Sequence, residues 1–455
     1  MVGHRLHKLP GAMMAKTTLC VLAALLVCCI LPKASLAGDS VHQSWLVTTD
    51  LWGNPSYQAL ELDRTGTRLS GVLDGDKLEG ELTGKVVRFV VTDRRQSTYV
   101  YQGTLSGGTI RGTADYPDSN NPKVRVKHAF AAQLLPERPP GPPRRHEFKP
   151  TDYSNEFTPH RKPVLTIWPG DSVHTTTIDS GGVDEHGVTR ALFGNPQIGP
   201  FYVGGANPGD TLVVRIVRLR LNRDHADSLD SIVGRALVPG LAATAAELGK
   251  PVRWRIDRAN GTASPETPSE RLKNFKVPVR PMLGGLAVAP GFGSPPISTG
   301  DTGRFGGNMD FNEVVEGNTV YLPVLQPGAL LYLGDAHALQ GDGETSQYAL
   351  ETSMEVEFTV DVVRGKSISA PRVESPTQIM ALGQAGSLDD ALRSATFGLT
   401  QWLMQDYGLS LSEVAQVLGS SVQYVVANLA GRSVGVAAKL DKSRLAGLVP
   451  VASER

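Results

Sequence analysis

Turn residues cut most of this chain into runs too short for helices. From roughly Ser44 to Leu135 apolar and polar residues alternate between turn signals, as in Tyr57 to Leu62, Val86 to Val91, Thr98 to Leu105 and Lys123 to Ala132. A period of two over such lengths reads as half-buried strands, and their close succession reads as a small antiparallel β module. Further on, Pro169-Gly170-Asp171, Pro208-Gly209-Asp210 and Pro327-Gly328 separate β-branched runs such as Val164 to Ile167 and Leu212 to Leu219. Proline sets the first turn dihedral and glycine accepts the positive one, so these pairs favour tight reversals between strands. The expected fold is mainly β: an antiparallel sandwich or distorted barrel over residues 150–385, preceded by the small β module over 38–135.

Three segments depart from that pattern. Pro136 to Lys149, PERPPGPPRRHEFK, is too proline-rich and charged for a sheet interior and predicts an extended linker. Asp224 to Lys276 is irregular and polar, with a short helix near Leu241 to Leu248, and predicts an insertion over one face. Beyond Pro376 the period becomes helical. Leu392, Ala395, Leu399, Trp402 and Leu403 can share a face, and Ser410 with Glu413 forms a capping box, so residues 386–455 are expected to be a helical segment of the same domain.

The start of the chain carries Arg5, Lys8 and Lys16, the apolar run Leu19 to Leu31, and Ser35-Leu36-Ala37 before Gly38. This order predicts a secretory signal over residues 1–37, too short in its apolar part for a membrane span, and hence an exported protein, periplasmic or secreted, with no stable membrane insertion after cleavage. Cys20, Cys28 and Cys29 all fall inside it, so a chain beginning at Gly38 has no thiol, which excludes a cysteine nucleophile. Removing Arg5, Lys8, Lys16 and Lys33 takes the 45 basic residues to 41 against 45 acidic, a balance that does not suggest a nucleic-acid partner.

Candidate chemistry concentrates between Arg304 and Glu344, RFGGNMDFNEVVEGNTVYLPVLQPGALLYLGDAHALQGDGE. Apolar runs at Thr319 to Leu325 and Leu330 to Leu333 precede the polar cluster, which is expected on loops at a strand end. Asp335, His337 and Glu344 supply two carboxylates and an imidazole in one stretch, a ligand type suited to a divalent ion, although aspartates beside glycine also simply cap turns. Asn308 and Asp310 adjoin glycines that permit close backbone approach. Asn308 suits a substrate amide or an oxyanion and Asp310 a ligand or the leaving nitrogen, with an ordinary turn as the alternative. Gly291-Phe292-Gly293 shapes either a pocket wall or a tight bend.

The segment closely resembles the acetamidase/formamidase family, in which GGNMD, a YLPV strand, PGAL and a GDAHA..GDGE run occur in this order. Further matches lie upstream: PVLTIWPGD at Pro163 to Asp171, TTTIDSGGVDEHG at Thr175 to Gly187, GNPQIGPFYVGGANPGDTLVV at Gly194 to Val214 and LGGLAVAPGFG at Leu283 to Gly293. The resemblance implies hydrolysis of the C–N bond of a small carboxamide such as formamide or acetamide, giving carboxylate and ammonia, by a homo-oligomer. In its light Asp179, Asp335 and His337 are assigned as ligands of a divalent metal ion, zinc by preference. Glu344, Asn308 and Asp342 are assigned to catalysis, with Glu344 as the base, and Gly307, Asp310 and Phe292 to substrate binding.

Other chemistries fare worse. There is no GxSxG elbow, and Ser420-Ser421 lacks the surroundings of a serine amidase. No GxxxxGK[ST] phosphate loop occurs. Leu409 to Val425 has a superficial helix-turn-helix look, but its second half lacks arginine and lysine, which favours a packed helical hairpin. Two rivals stand beside the amidase reading: a metal-dependent hydrolase of another small amide, ureide or ester, and a non-catalytic envelope-binding protein built around the N-terminal module.

Overall fold

The computed structural model describes residues 40–291 and 294–451. The expected export segment, its three cysteines and Phe292 lie outside these residues. Among the described residues no helix is long and apolar enough to cross a membrane.

The N-terminal β module is a closed barrel of eight strands, from Val41–Leu51 to Arg125–Leu134, each antiparallel to the next, with the first and last paired from Trp45 opposite Leu134. Alternation decides its interior: in Val86–Thr92 the side chains of Val87, Phe89 and Val91 are buried while Val86 and Arg88 are exposed. The hairpins use the chemistry their twist needs. Asp74 and Gly75, at φ 50° and 85°, join Arg68–Leu73 to Asp76–Thr83, both dihedrals positive as in a type I′ turn. Side chains fill the barrel, with Phe89 and Tyr101 stacked at 4.7 Å.

The linker leads out of the barrel, but it is tied to the body at both of its ends. Arg138 donates to the Pro169 carbonyl and to Asp171, and Arg145–Glu147 pairs in parallel with Ser172–Thr176 at the edge of the body. Asp171 holds the turn it belongs to, accepting from the backbone N–H groups of Trp168 and Arg144. The second Pro-Gly-Asp turn repeats this device, with Asp210 accepting from the N–H groups of Asn207 and Gly365. In both, glycine takes the positive φ, 87° at Gly170 and 98° at Gly209.

Two large sheets form the body and share one apolar core. A nine-stranded sheet contributes Val214, Val320 and Phe358 to it; an eleven-stranded sheet contributes Phe201, Leu286 and Leu333. The segment expected to be an irregular insertion extends the second sheet instead, through His225–Leu229, Pro251–Asp257, Thr262–Pro265 and Val277–Pro278. Its polarity misled because these strands lie at one end of the sheet and are only partly covered, with a single buried residue in each of Pro251–Asp257 and Thr262–Pro265. The helical turns near Leu241 are Pro239–Ala242 and Thr244–Glu247.

The C-terminal segment is only half helical. Helix Leu388–Tyr407 starts at Ser387, whose side chain accepts from the Asp390 N–H, and stops at Gly408 with φ 65°. It buries Ala391, Ala395, Leu399, Trp402 and Leu403; Leu392, expected on that face, is 42% exposed. The Ser410–Glu413 capping box opens helix Leu411–Ser421. Gly419 lies within this helix and strand Gln423–Asn428 follows it directly, so Leu409 to Val425 forms neither a helix-turn-helix nor the expected hairpin of two helices. Strands Gln423–Asn428 and Val434–Asp441 come next and form the end of the nine-stranded sheet. Their β-branched content, Val425, Val426, Val434 and Val436, outweighs the preceding helical period.

Helix Leu388–Tyr407 packs so closely on strand Gln378–Ala385 that a Cβ at Gly383 would lie 1.9 Å from the Ala391 carbonyl oxygen and 2.4 Å from the Ala395 nitrogen. Helix backbone cannot yield as a flexible side chain can. Gly383→Val is therefore expected to destabilise the protein by about 2–3 kcal/mol or more, read as a lowered melting temperature in thermal unfolding followed by circular dichroism. An unchanged melting temperature would contradict the packing.

Candidate active site

The site is built around the strand Leu331–His337, buried along its whole length. It pairs with Met282–Ala287 on one side, and on the other with Gln197–Val203 and with Glu351–Thr352, which places Glu351 directly opposite His337. Asp335 and His337 thus lie within a strand rather than on the loop the sequence suggested. Glu344 is on the following loop and Asp310 just after strand Gly306–Asn308. Gly284 makes room for two of these groups: a Cβ there would sit 2.5 Å from both Asp310 Oδ1 and Asp335 Oδ2. Asp310, Asp335 and Glu344 all have left-handed backbones, at φ 42°, 55° and 45°. Side-chain-bearing residues adopt this conformation at a cost, and three together mark a place where the fold overrides local preference.

Hydrogen bonds orient the site from outside and leave its centre unpaired. Asn195 Nδ2 donates to Asn308 Oδ1 at 2.7 Å and to Asp335 Oδ2 at 3.2 Å. Asn308 and Asn428 both donate to Asp310 Oδ2. The Ala349 N–H donates to Glu344 Oε1 at 3.1 Å. His337 Nδ1 meets Gln340 Oε1 at 2.9 Å, while Nε2 lies 3.5 Å from Asp335 Oδ1 and 3.2 Å from Glu351 Oε1. Four buried atoms of these side chains, Asp310 Oδ1, Asp335 Oδ1, His337 Nε2 and Glu351 Oε2, have no hydrogen-bond partner. Buried polar atoms are nearly always satisfied, so four orphans on neighbouring acids and an imidazole call for a cation. The spacing agrees. Asp310, Asp335 and His337, and likewise His337, Glu344 and Glu351, present ligand atoms within 4.8 Å of one another. One imidazole nitrogen among carboxylate oxygens is a donor set that fits a divalent metal ion.

Charge follows from this crowding. Burial pushes the carboxyl groups of Asp310, Glu344 and Glu351 above their usual range; Asp335 adds to the effect on Asp310, and Asp310 to that on Glu344. Burial works against protonation of His337, but the charges of Glu351 and Asp335 overcome it and hold the imidazole well above its ordinary value. Asp310, Glu344 and Glu351 border a cavity of about 280 Å³ that is also lined by Asn195, Asn308, Phe193 and Tyr348.

The residues singled out from the sequence separate on this geometry. Asn308, Asp310, Asp335, His337 and Glu344 come together. Asp310, assigned to substrate binding, presents an oxygen among the possible ligand atoms and also borders the cavity. Asp179 is not in either ligand group: Arg223 pairs with it at 2.7 Å and the Val183 N–H at 2.8 Å, so its carboxylate is already satisfied. Asp342 is exposed and takes a hydrogen bond from Asn312 at 2.8 Å, outside the cavity. Gly307 is buried between strands, where a Cβ would meet the Asp301 carbonyl oxygen at 2.4 Å, and it serves close backbone approach rather than substrate contact. The neighbouring Asn308 N–H is spent on Asp301 as well. Sequence reasoning missed Glu351, Asn195, Asn428 and Gln340. Gln340 stood in the same run, three residues after His337. The other three arrive by strand register and chain return, which spacing does not encode.

Residues 297–423 match the Acetamidase/Formamidase family. A stretch of 41 residues is 54% identical to a Schizosaccharomyces pombe protein that bears the provisional name formamidase C869.04, spanning 9% of this chain and only 10% of that protein. The fold is similar to that of an acetamidase from Yersinia enterocolitica, at a TM-score of 0.57 and 28% identity over 67% of this chain and 94% of that one. An acetamidase from Bacillus halodurans is similar at a TM-score of 0.55 and 26% identity, over 65% of this chain and 97% of that one.

The raised groups predict how stability depends on pH without an ion. Above the ordinary carboxyl range the unfolded chain has released protons that the folded site retains, so stability falls as pH rises towards the raised folded values. His337 acts in the same direction, its contribution lost as pH climbs through its raised value. Chelator-treated protein should therefore melt lower at about pH 8 than at about pH 5.5. Added divalent ion, whose ligands must be deprotonated, should narrow or reverse that difference. Melting curves that show the same pH trend with chelator and with ion would refute it.

Proposed function

We propose that this chain, whose residues 297–423 match the Acetamidase/Formamidase family, belongs to that family and hydrolyses the C–N bond of a small carboxamide to a carboxylate and ammonia. The observation that carries this reading is the set of four unpartnered buried atoms, Asp310 Oδ1, Asp335 Oδ1, His337 Nε2 and Glu351 Oε2, beside a cavity of about 280 Å³. Asp310, Asp335 and His337, with Glu351 alongside, would hold a divalent ion, for which zinc suits the imidazole and carboxylate donors. Such an ion, when bound, supplies Lewis acidity to the amide carbonyl and to water.

The protein's own groups account for the remaining steps. Glu344 borders the cavity, and its carboxyl is held above the ordinary range by burial and by Asp310, which suits a group that must take a proton from water and return one near neutral pH. Its N–H contact from Ala349 fixes one oxygen. Glu344 takes the proton of the attacking water and delivers it to the departing nitrogen, which leaves as ammonia. Asn308 donates one N–H to Asp310 and gives its oxygen to Asn195; its second N–H is the donor offered to the substrate carbonyl as negative charge develops on oxygen. The small volume, bordered by Phe193 and Tyr348, suits an amide with a short acyl group.

The rival non-catalytic reading fits poorly, because keeping unpaired carboxylates buried costs stability that a mere scaffold has no reason to bear. Another small amide, ureide or ester would meet the same groups, and a substrate panel distinguishes these. We also propose a homo-oligomer, from the family resemblance, and export, from Leu19 to Leu31 and Ser35-Leu36-Ala37.

Ammonia release from a panel of small amides, with and without chelator, tests the reaction. Glu344→Gln should keep most of the bound metal yet lose on the order of a hundredfold to ten-thousandfold in rate, whereas His337→Ala should lose both metal and activity. Full activity of the parent in strong chelator, or parent-like rates in both variants, would sink the proposal. For export, intact-mass analysis of protein recovered outside the cytoplasm should show a chain beginning near Gly38. A soluble cytoplasmic product still carrying residues 1–37 would overturn that part.

A further inference from the structure

We infer that Gln340 is a positioning residue that sets which imidazole nitrogen of His337 faces the acids and, through the same amide, fixes the backbone of Asp310. The inference rests on the reading of the site as a metal centre. Gln340 is buried and lies outside both groups of ligand atoms. Its Nε2 donates to the Asp310 main-chain carbonyl, and its Oε1 lies 2.9 Å from His337 Nδ1. A carbonyl can only accept, so the nitrogen end of the amide must face Asp310 and the oxygen end must face the ring. That oxygen in turn can only accept, so Nδ1 carries a hydrogen whatever the charge of the ring, and in the neutral ring that binds a metal the lone pair is on Nε2, the unpartnered atom beside Asp335 and Glu351.

The second contact serves Asp310. With φ at 42°, its peptide units are held in an orientation a side-chain-bearing residue does not favour. A donor on its carbonyl resists the flip that would swing its carboxylate away. One amide from the residues following strand Leu331–His337 therefore orients two ligands that are far apart in sequence, and it touches neither of the atoms that face the ion.

Zinc affinity of the purified full chain, measured by competition with a chromophoric chelator, tests this with two substitutions. Gln340→Met keeps the volume and removes both contacts; it should weaken zinc binding by about 10–100-fold and change the visible spectrum of the cobalt-loaded protein. Gln340→Glu keeps an acceptor for Nδ1 and should bind zinc more tightly than Gln340→Met. Parent-like affinity in Gln340→Met would overturn the inference, as would equal weakening in the two variants, which indicates loosened packing alone. A parent that binds no zinc or cobalt would remove the metal reading itself and this inference with it.

Discussion

Everything around the site answers one electrostatic problem. Asp310, Asp335, Glu344 and Glu351 are all buried beside a buried imidazole, and carboxylates so placed repel one another and miss their water. A fold can tolerate this only where neutral donors hold each group and a positive charge completes the centre. Asn195 supplies a donor to Asp335, Asn308 and Asn428 supply donors to Asp310, and the Ala349 N–H supplies one to Glu344, none of them adding charge. The lone pairs they leave unused on Asp310 and Asp335 point to what the polypeptide does not provide by itself.

The architecture follows from holding those groups still. Strand Leu331–His337 has neighbours on both edges, so His337 is fixed by pairing on each side, and Asp335 is held between the paired residues Gly334 and Ala336 rather than on a loop. Gly284 and the close strand pairing let carboxylates pass where a Cβ would collide. The C-terminal return closes the other side. Asn428 ends strand Gln423–Asn428 and reaches Asp310, its backbone forms a bridge with Gly343, and Arg235 binds the carbonyls of Leu429, Gly431 and Arg432 next to it. The segment whose helical period stood out in the sequence thus contributes to the site through the strand that follows the helices.

Much of the fold was legible because local rules were obeyed. The barrel strands alternate and most of the hairpins carry a glycine at positive φ, so periodicity and turn chemistry agree. The capping box at Ser410 and Glu413 and the Pro-Gly-Asp turns are short-range devices, and short-range devices survive in sequence. Misreadings occurred where tertiary context overrode the local signal. Partly covered strands at one end of the second sheet, between His225 and Pro278, looked like a polar insertion, and Gln423 to Asp441 was absorbed into a neighbouring helical period.

The sequence by itself determined the kinds of groups available: a mainly β chain, a histidine and several acids set among glycines between Arg304 and Glu344, and a family resemblance carried by ordered motifs. It could not say which acids meet. Asp342 and Glu344 are near neighbours in sequence, yet one is exposed and the other buried at the cavity. Asp179 followed a strand in a glycine-rich turn, and Arg223 neutralises it. Glu351 reached the site through its register opposite His337, and Asn428 from the far end of the chain. Proximity between residues remote in sequence is decided by strand pairing and burial, whose energies depend on the whole core, and so only the tertiary structure could select the members of the site.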